Sequence, residues 1–258
     1  MRQDIHEVST IPRYPLGFRY PLDDRVFRYA RAGGALNTDV GAKNPLPQMV
    51  GYCPVNAALI GAKVVVITLH GHAAPNGDGV LRDNVIAEDE LAGGYINIYT
   101  HELYHPVTNI SWTINRKIVK NTATDGANLV MTLTLDKPLP VALLGGNTMH
   151  AECIASPYAS VISGWPAAVP NIELMSVVGY PTRYADIGEY LWLQTWGQLE
   201  AAILGGLGAA VNTRELAFTA AGMMQLWQVA LPGSQRAGYV IPNTVYPSAS
   251  YAFLQLAP

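Results

Sequence analysis

Leu129, Met131, Leu133 and Leu135 occupy alternate positions, with Val130, Thr132 and Thr134 between them. A period of two places the four large apolar residues on one side of an extended strand. Asp125-Gly126 just upstream is a hairpin-type turn signal. The same grammar recurs along the chain. Lys63–Leu69 (KVVVITL) is a β-branched run suited to a buried strand, and Tyr95–Thr100 (YINIYT) alternates after Gly93-Gly94. Asp24–Arg31 sets Val26, Arg28 and Ala30 against Phe27, Tyr29 and Arg31 before Gly33-Gly34. Further strands are expected at Ile110–Val119, Ile172–Val178, Tyr190–Trp196, Leu226–Leu231 and Ser250–Leu256.

Short strands punctuated by turns, with few helical periods, predict a mainly β fold. The expected form is a β-sandwich or barrel-like body with an extended N-terminal arm and few short helices. The stretch from Gln198 to Phe218 has a weak helical stripe (Leu199, Ala202, Ile203, Leu207). Gly205, Gly206 and Gly208 oppose it at about 1 kcal/mol each in a helix interior, so strand and turn are expected there. Residues 1–22 read as the arm, because Pro12, Pro15 and Pro21 favour extended backbone around Tyr14, Phe18 and Tyr20. Such an arm lies on its own body or on a neighbour. A proline and glycine cluster at Pro157, Gly164, Pro166 and Pro170 suggests a division into residues 23–158 and 159–258.

Half of the 258 residues are hydrophobic and only 14% are charged, against about 25% in ordinary globular chains. Disorder is excluded, and the shortage of charge suggests that other protein covers part of the surface. A net charge of −3 argues against electrostatic binding of nucleic acid. Residues 1–35 nevertheless carry six arginines against four acidic groups, so the arm suits an acidic protein surface. MRQDIHEVST has no apolar stretch of a signal peptide, and Ala201–Val211 is too short to span a membrane. A soluble product made in the cytoplasm, with no membrane partner, is the expectation. Cys53 and Cys153, 100 positions apart, have no metal or redox spacing and read as buried thiols.

His101–His105 spells HELYH, the H-E-x-x-H pattern of zinc hydrolases. That chemistry needs a helix, so that both histidines share a face beside the glutamate. Here a strand pattern precedes the motif and Pro106 follows it, while no third ligand stands at a suitable spacing. The zinc-hydrolase reading is therefore secondary. His70, His72 and His150 read as ordinary polar residues beside the Asn76–Gly79 loop rather than as a metal set. Gly206–Val211 lacks the third glycine and the acidic residue of a dinucleotide site. Cys153 near His150 reads as a packed thiol. No catalytic residue, metal or cofactor is expected. Tyr190, Trp192 and Trp196 fall on one face of a strand whose other face holds Leu191 and Leu193. Both faces being apolar, these rings are expected to be buried or to lie at a subunit interface. A glycan-stacking platform on Trp192 and Trp196 is the alternative, weakened by the lack of clustered Asp, Asn or Glu.

The segments DRVFRYARAGGAL, ELAGGYINIYT, LTLDKPLPVAL, SPYASV and EYLWLQTWG together resemble a group of tailed-bacteriophage virion proteins over residues 24–200. The shared pattern is a distributed set of strands and turns, with no invariant catalytic motif. The proline-broken stretch Leu36–Ala58 and the HELYH stretch depart from it. The resemblance is to head decoration (cement) proteins. It implies a β-rich, homotrimeric structural subunit on the capsid surface that staples major capsid proteins. A tail or neck placement is the structural alternative. On this reading Arg13, Phe18, Arg19, Tyr20, Phe27, Arg28 and Tyr29 anchor the arm to capsid protein or to a sister subunit. Removal of residues 1–22 is then expected to abolish binding and leave the body folded.

Overall fold

The computed structural model describes residues 3–44, 49–69, 79–80, 86–100, 113–124, 129–163, 175–201, 203–204, 214–227, 234–241 and 250–257. The fold is mainly β, as the alternation predicts, and no α-helix occurs among the described residues. The few short helices expected from the sequence are not found there. The chain forms two compact units, one from residues 1–46 joined with 157–258, the other from 47–156. The sequential division at 158/159 is thereby corrected in one respect: residues 23–46 belong with the C-terminal part. The reason is long-range pairing, since the strand at 25–31 hydrogen-bonds a strand more than 150 residues later.

The inserted unit is a closed barrel. Its strands are β4 (Met49–Val55), β5 (Val64–Thr68), β6 (Gly79–Val80), β7 (Tyr95–Thr100), β8 (Thr113–Asn121), β9 (Val130–Leu135) and β10 (Gly146–Ile154). The order β10-β7-β8-β9-β5-β4 closes through a β10–β4 pairing, with β6 attached to β4. The pairings are antiparallel, and β10-β7-β8-β9 is a Greek key. Closure removes the free edges of the six strands. The inward positions are the alternating ones: Val65, Ile67 and Leu69; Ile96 and Ile98; Met131, Leu133 and Leu135. Lys63–Leu69 is thus one-sided rather than buried on both faces, with Val64 half exposed. Gly94 precedes β7 where a Cβ would come within 2.1 Å of the Ile154 carbonyl oxygen, so no side chain fits the approach of β10.

Polar groups lock the barrel's 86–94 turn to the end of β8. Asn121 is buried; its Oδ1 accepts from Leu91 N–H at 2.8 Å and its Nδ2 donates to Ala87 O at 2.8 Å. Cys53 and Cys153 are buried in the barrel interior and form no disulfide, and burial pushes the Cys153 thiol well above its ordinary pKa. A thiol held protonated in this way is a poor nucleophile and metal ligand.

The other unit is an open ten-stranded sheet. It contains β1 (Arg19–Leu22), β2 (Arg25–Arg31), β3 (Ala42–Lys43), β11 (Val177–Pro181), β12 (Tyr190–Ala201), β13 (Ile203–Leu204), β14 (Glu215–Phe218), β15 (Met224–Leu226), β16 (Arg236–Val240) and β17 (Ser250–Gln255). The main path is β1-β2-β12-β17-β16-β14-β15-β13, with β11 on β12 and β3 on β11. Strand β12, at 12 residues, serves β2, β11 and β17. A register shift against β2 between Gln194 and Trp196 interrupts it, followed by Gly197 at φ +96°. A Cβ on Gly197 would stand 2.7 Å from the Asp24 carbonyl oxygen. This irregularity fixes what the aromatic residues on either side of it can touch.

Candidate interaction surfaces

The N-terminal arm folds onto its own unit. Ser9 bridges Tyr190, and β1 pairs with β2 as a hairpin. Gln3 is the main fastening. Its Nε2 donates to Glu7 O at 2.8 Å and Tyr190 O at 2.9 Å, while its Oε1 accepts from the Tyr29 hydroxyl at 2.6 Å. The Trp192 indole N–H donates to Gln3 O at 3.3 Å, and Tyr29 Oη accepts from Arg13 N–H at 3.0 Å. Burial raises the Tyr29 phenol pKa against the lowering effect of that Arg13 N–H.

Around these bonds the rings converge on Trp192. Tyr14 and Tyr29 lie with centroids 5.0 Å from it, Tyr20 at 5.5 Å and Phe18 at 6.4 Å. Tyr190 stacks on Tyr29 at 5.9 Å. Trp192, Tyr29 and Phe27 are fully buried, so Phe27 and Tyr29 are corrected from partner anchors to core residues. Period two shows that Phe27 and Tyr29 share a face, but it does not say which face the arm covers. Arg28 is half buried, with Nη1 donating to Gly17 O at 3.3 Å, and it too turns inward. Arg13, Phe18, Arg19 and Tyr20 are exposed. Removing residues 1–22 would strip Gln3, Ile5 and β1 from Trp192 and Tyr29, so the expectation of an intact truncated body is also revised.

Trp196 does not join this group. The register shift sets it opposite Val26, and its ring meets Phe253 edge-on at 5.8 Å. Phe253 in turn stacks on Tyr239 at 5.3 Å. Of the three rings expected on one face, Tyr190 and Trp192 are together and Trp196 is apart. With Trp192 only 1% exposed, it offers no free face on which a sugar ring can stack.

The barrel unit carries a different surface. The β4–β5 and β9–β10 loops are tied by Ala58 N–H to Leu143 O (3.0 Å), Leu143 N–H to Ala58 O (2.8 Å), Gly61 N–H to Leu139 O (3.0 Å) and Leu139 N–H to Ala62 O (2.8 Å). On these tied loops Leu59 is 80% exposed, Ile60 67% and Leu144 84%, with Val141 also exposed. Leu139 and Leu143 point inward and plug the barrel end. Periodicity does not foretell this patch, because isolated loop leucines carry no periodic signal.

His101, Glu102 and His105, and also His70 and His72, lie outside the described residues. Among the described residues no three His, Cys, Asp or Glu side chains are grouped to hold a metal ion. No helix among them is long and apolar enough to cross a membrane. No family model, curated protein or solved structure matches the chain.

Proposed function

We propose that this protein is a non-enzymatic structural subunit of a virion: a decoration protein on the head of a tailed bacteriophage, assembled as a homotrimer and bound to major capsid protein. The observation that carries the reading is the exposure of Leu59, Ile60 and Leu144 on two loops tied by four backbone hydrogen bonds. Large aliphatic side chains held out in this way mark surfaces that another protein covers. The scarcity of charge and the resemblance over residues 24–200 support the same reading. The exposed arm residues Arg13, Phe18, Arg19 and Tyr20 supply a second contact on the other unit.

The test is quantitative mass spectrometry of purified virions from a phage encoding this chain, with immunogold labelling of intact particles. A decoration protein appears in many copies and labels the head. Labelling of the tail or neck would move it to the adaptor or fibre class, and absence from the particle would end the structural reading.

A further inference from the structure

A cavity of about 480 Å³ opens over the arm, lined by Tyr14, Phe18, Tyr20, Trp192, Leu22 and Ile5, with Gln3, Asp4 and His6 at its polar side. The volume is within the range of small-ligand sites. Its chemistry is selective. Four of its lining residues are aromatic and one is a carboxylate, and no lysine or arginine lines it. Phe18 and Tyr20 keep 41% and 37% of their surface exposed above the buried Trp192. Gln3 is committed on both sides of its amide, to Glu7 O and Tyr190 O through Nε2 and to Tyr29 through Oε1. Asp4 Oδ1 accepts from His6 N–H at 2.9 Å, and Glu7 Oε2 accepts from Asp4 N–H at 3.0 Å, which fixes the backbone at the polar side.

A polyhydroxylated ligand would find the Gln3 amide already committed, leaving Asp4, His6 and the Tyr14 and Tyr20 hydroxyls as its polar partners and making no use of the carboxylate's charge. A phosphate or carboxylate ligand would meet Asp4 and the negative faces of the rings. An organic cation gains from both features, because aromatic faces and a carboxylate attract positive charge together. We propose that this cavity binds an organic cation, either a methylated ammonium group or the guanidinium of an arginine side chain. The site shares Phe18 and Tyr20 with the arm contact proposed above, but it is built from the arm and β12 alone and is tested on the isolated chain.

The test uses the full chain labelled with ¹⁵N at tryptophan, following the indole N–H of Trp192, whose bond to Gln3 O reports on the cavity floor. The resonance is assigned by replacing the other tryptophans singly. Choline, Nα-acetyl-arginine amide and the neutral choline isostere 3,3-dimethylbutan-1-ol are titrated in parallel. Saturable shifts with at least one of the cations, at least tenfold tighter than with the alcohol, are expected. The stronger of the two cations identifies a free ammonium ligand or a partner's arginine as the source. Asp4→Asn and Tyr20→Leu should each weaken that cation several-fold and change the alcohol far less, since the first is isosteric and the second keeps an apolar side chain in place of the ring. Equal binding of cation and alcohol, unchanged cation binding in both variants, or no response to any probe would overturn the proposal.

Discussion

The two units solve the same problem, a sheet with two faces and two edges, in opposite ways. The barrel of residues 47–156 closes on itself, leaves its six strands no edge and fills its interior with aliphatic side chains. The open sheet of the other unit keeps β1 as an edge, where Pro21 and the exposed Arg19 and Tyr20 oppose pairing with a further strand. Its core beneath the arm is mixed, with Trp192, Tyr29 and Phe27 packed around the Gln3 network. A closed barrel can associate only through its loops and outward side chains. An open sheet can also use its edge and the segment that covers it.

That contrast can be broken most severely at the cores. Trp192→Ala should cost about 3–5 kcal/mol and Met131→Ala about 2–5 kcal/mol, each read by urea denaturation. Hydrogen exchange should place the loss in the sheet unit for the first and in the barrel for the second. If both variants loosen the same amides, the two units do not have separate cores. Asn121→Ala leaves the Leu91 N–H and Ala87 O without their buried partner and should cost about 2–3 kcal/mol, localised to the 86–94 turn. Tyr29→Phe removes the bonds to Gln3 and Arg13 but keeps the ring stack. A loss of about 1–2 kcal/mol is expected, with faster exchange confined to the arm.

The smallest effect is on pH dependence. Burial raises the phenol pKa values of Tyr29 and Tyr180 in the sheet unit and the thiol pKa of Cys153 in the barrel. Each folded group holds its proton to higher pH than the unfolded chain does. Stability is therefore complete below the unfolded pKa and falls as pH rises through it towards the folded value. The barrel should begin to weaken near the ordinary thiol value of 9.0, and the sheet unit near the ordinary phenol value of 10.0. Cys153→Ala should flatten the first decline and Tyr180→Phe should reduce the second, measured by denaturation from pH 8 to 11.

Much of the barrel was legible in the sequence. The inward face of Leu129–Leu135, the strand Tyr95–Thr100 and the Gly93-Gly94 turn follow from local periodicity and turn chemistry alone. The sheet unit was less so, because its decisive pairings are remote. Nothing near Asp24–Arg31 reveals that β12 will lie beside it, or that the arm will bury Phe27 and Tyr29. The separation of Trp196 from Trp192 depends on one irregularity in strand register, which alternation cannot foresee. Gln3 carries no local signal of its role, which exists only when Tyr29, Tyr190 and Trp192 come together. The barrel-end patch was hidden for a related reason: whether Leu59 faces in or out is decided by loops that meet only in the fold.

The central claim is that the exposed aliphatic loops make this chain a component of an assembly. Light-scattering mass on the full chain, beside a Leu59→Asp/Leu144→Asp double variant, tests it most directly. The account predicts a wild-type mass of three times 27.8 kDa, with the double variant shifted to a single subunit that still unfolds cooperatively. A wild-type protein that stays monomeric at every concentration, or a double variant that assembles like the wild type, would contradict it.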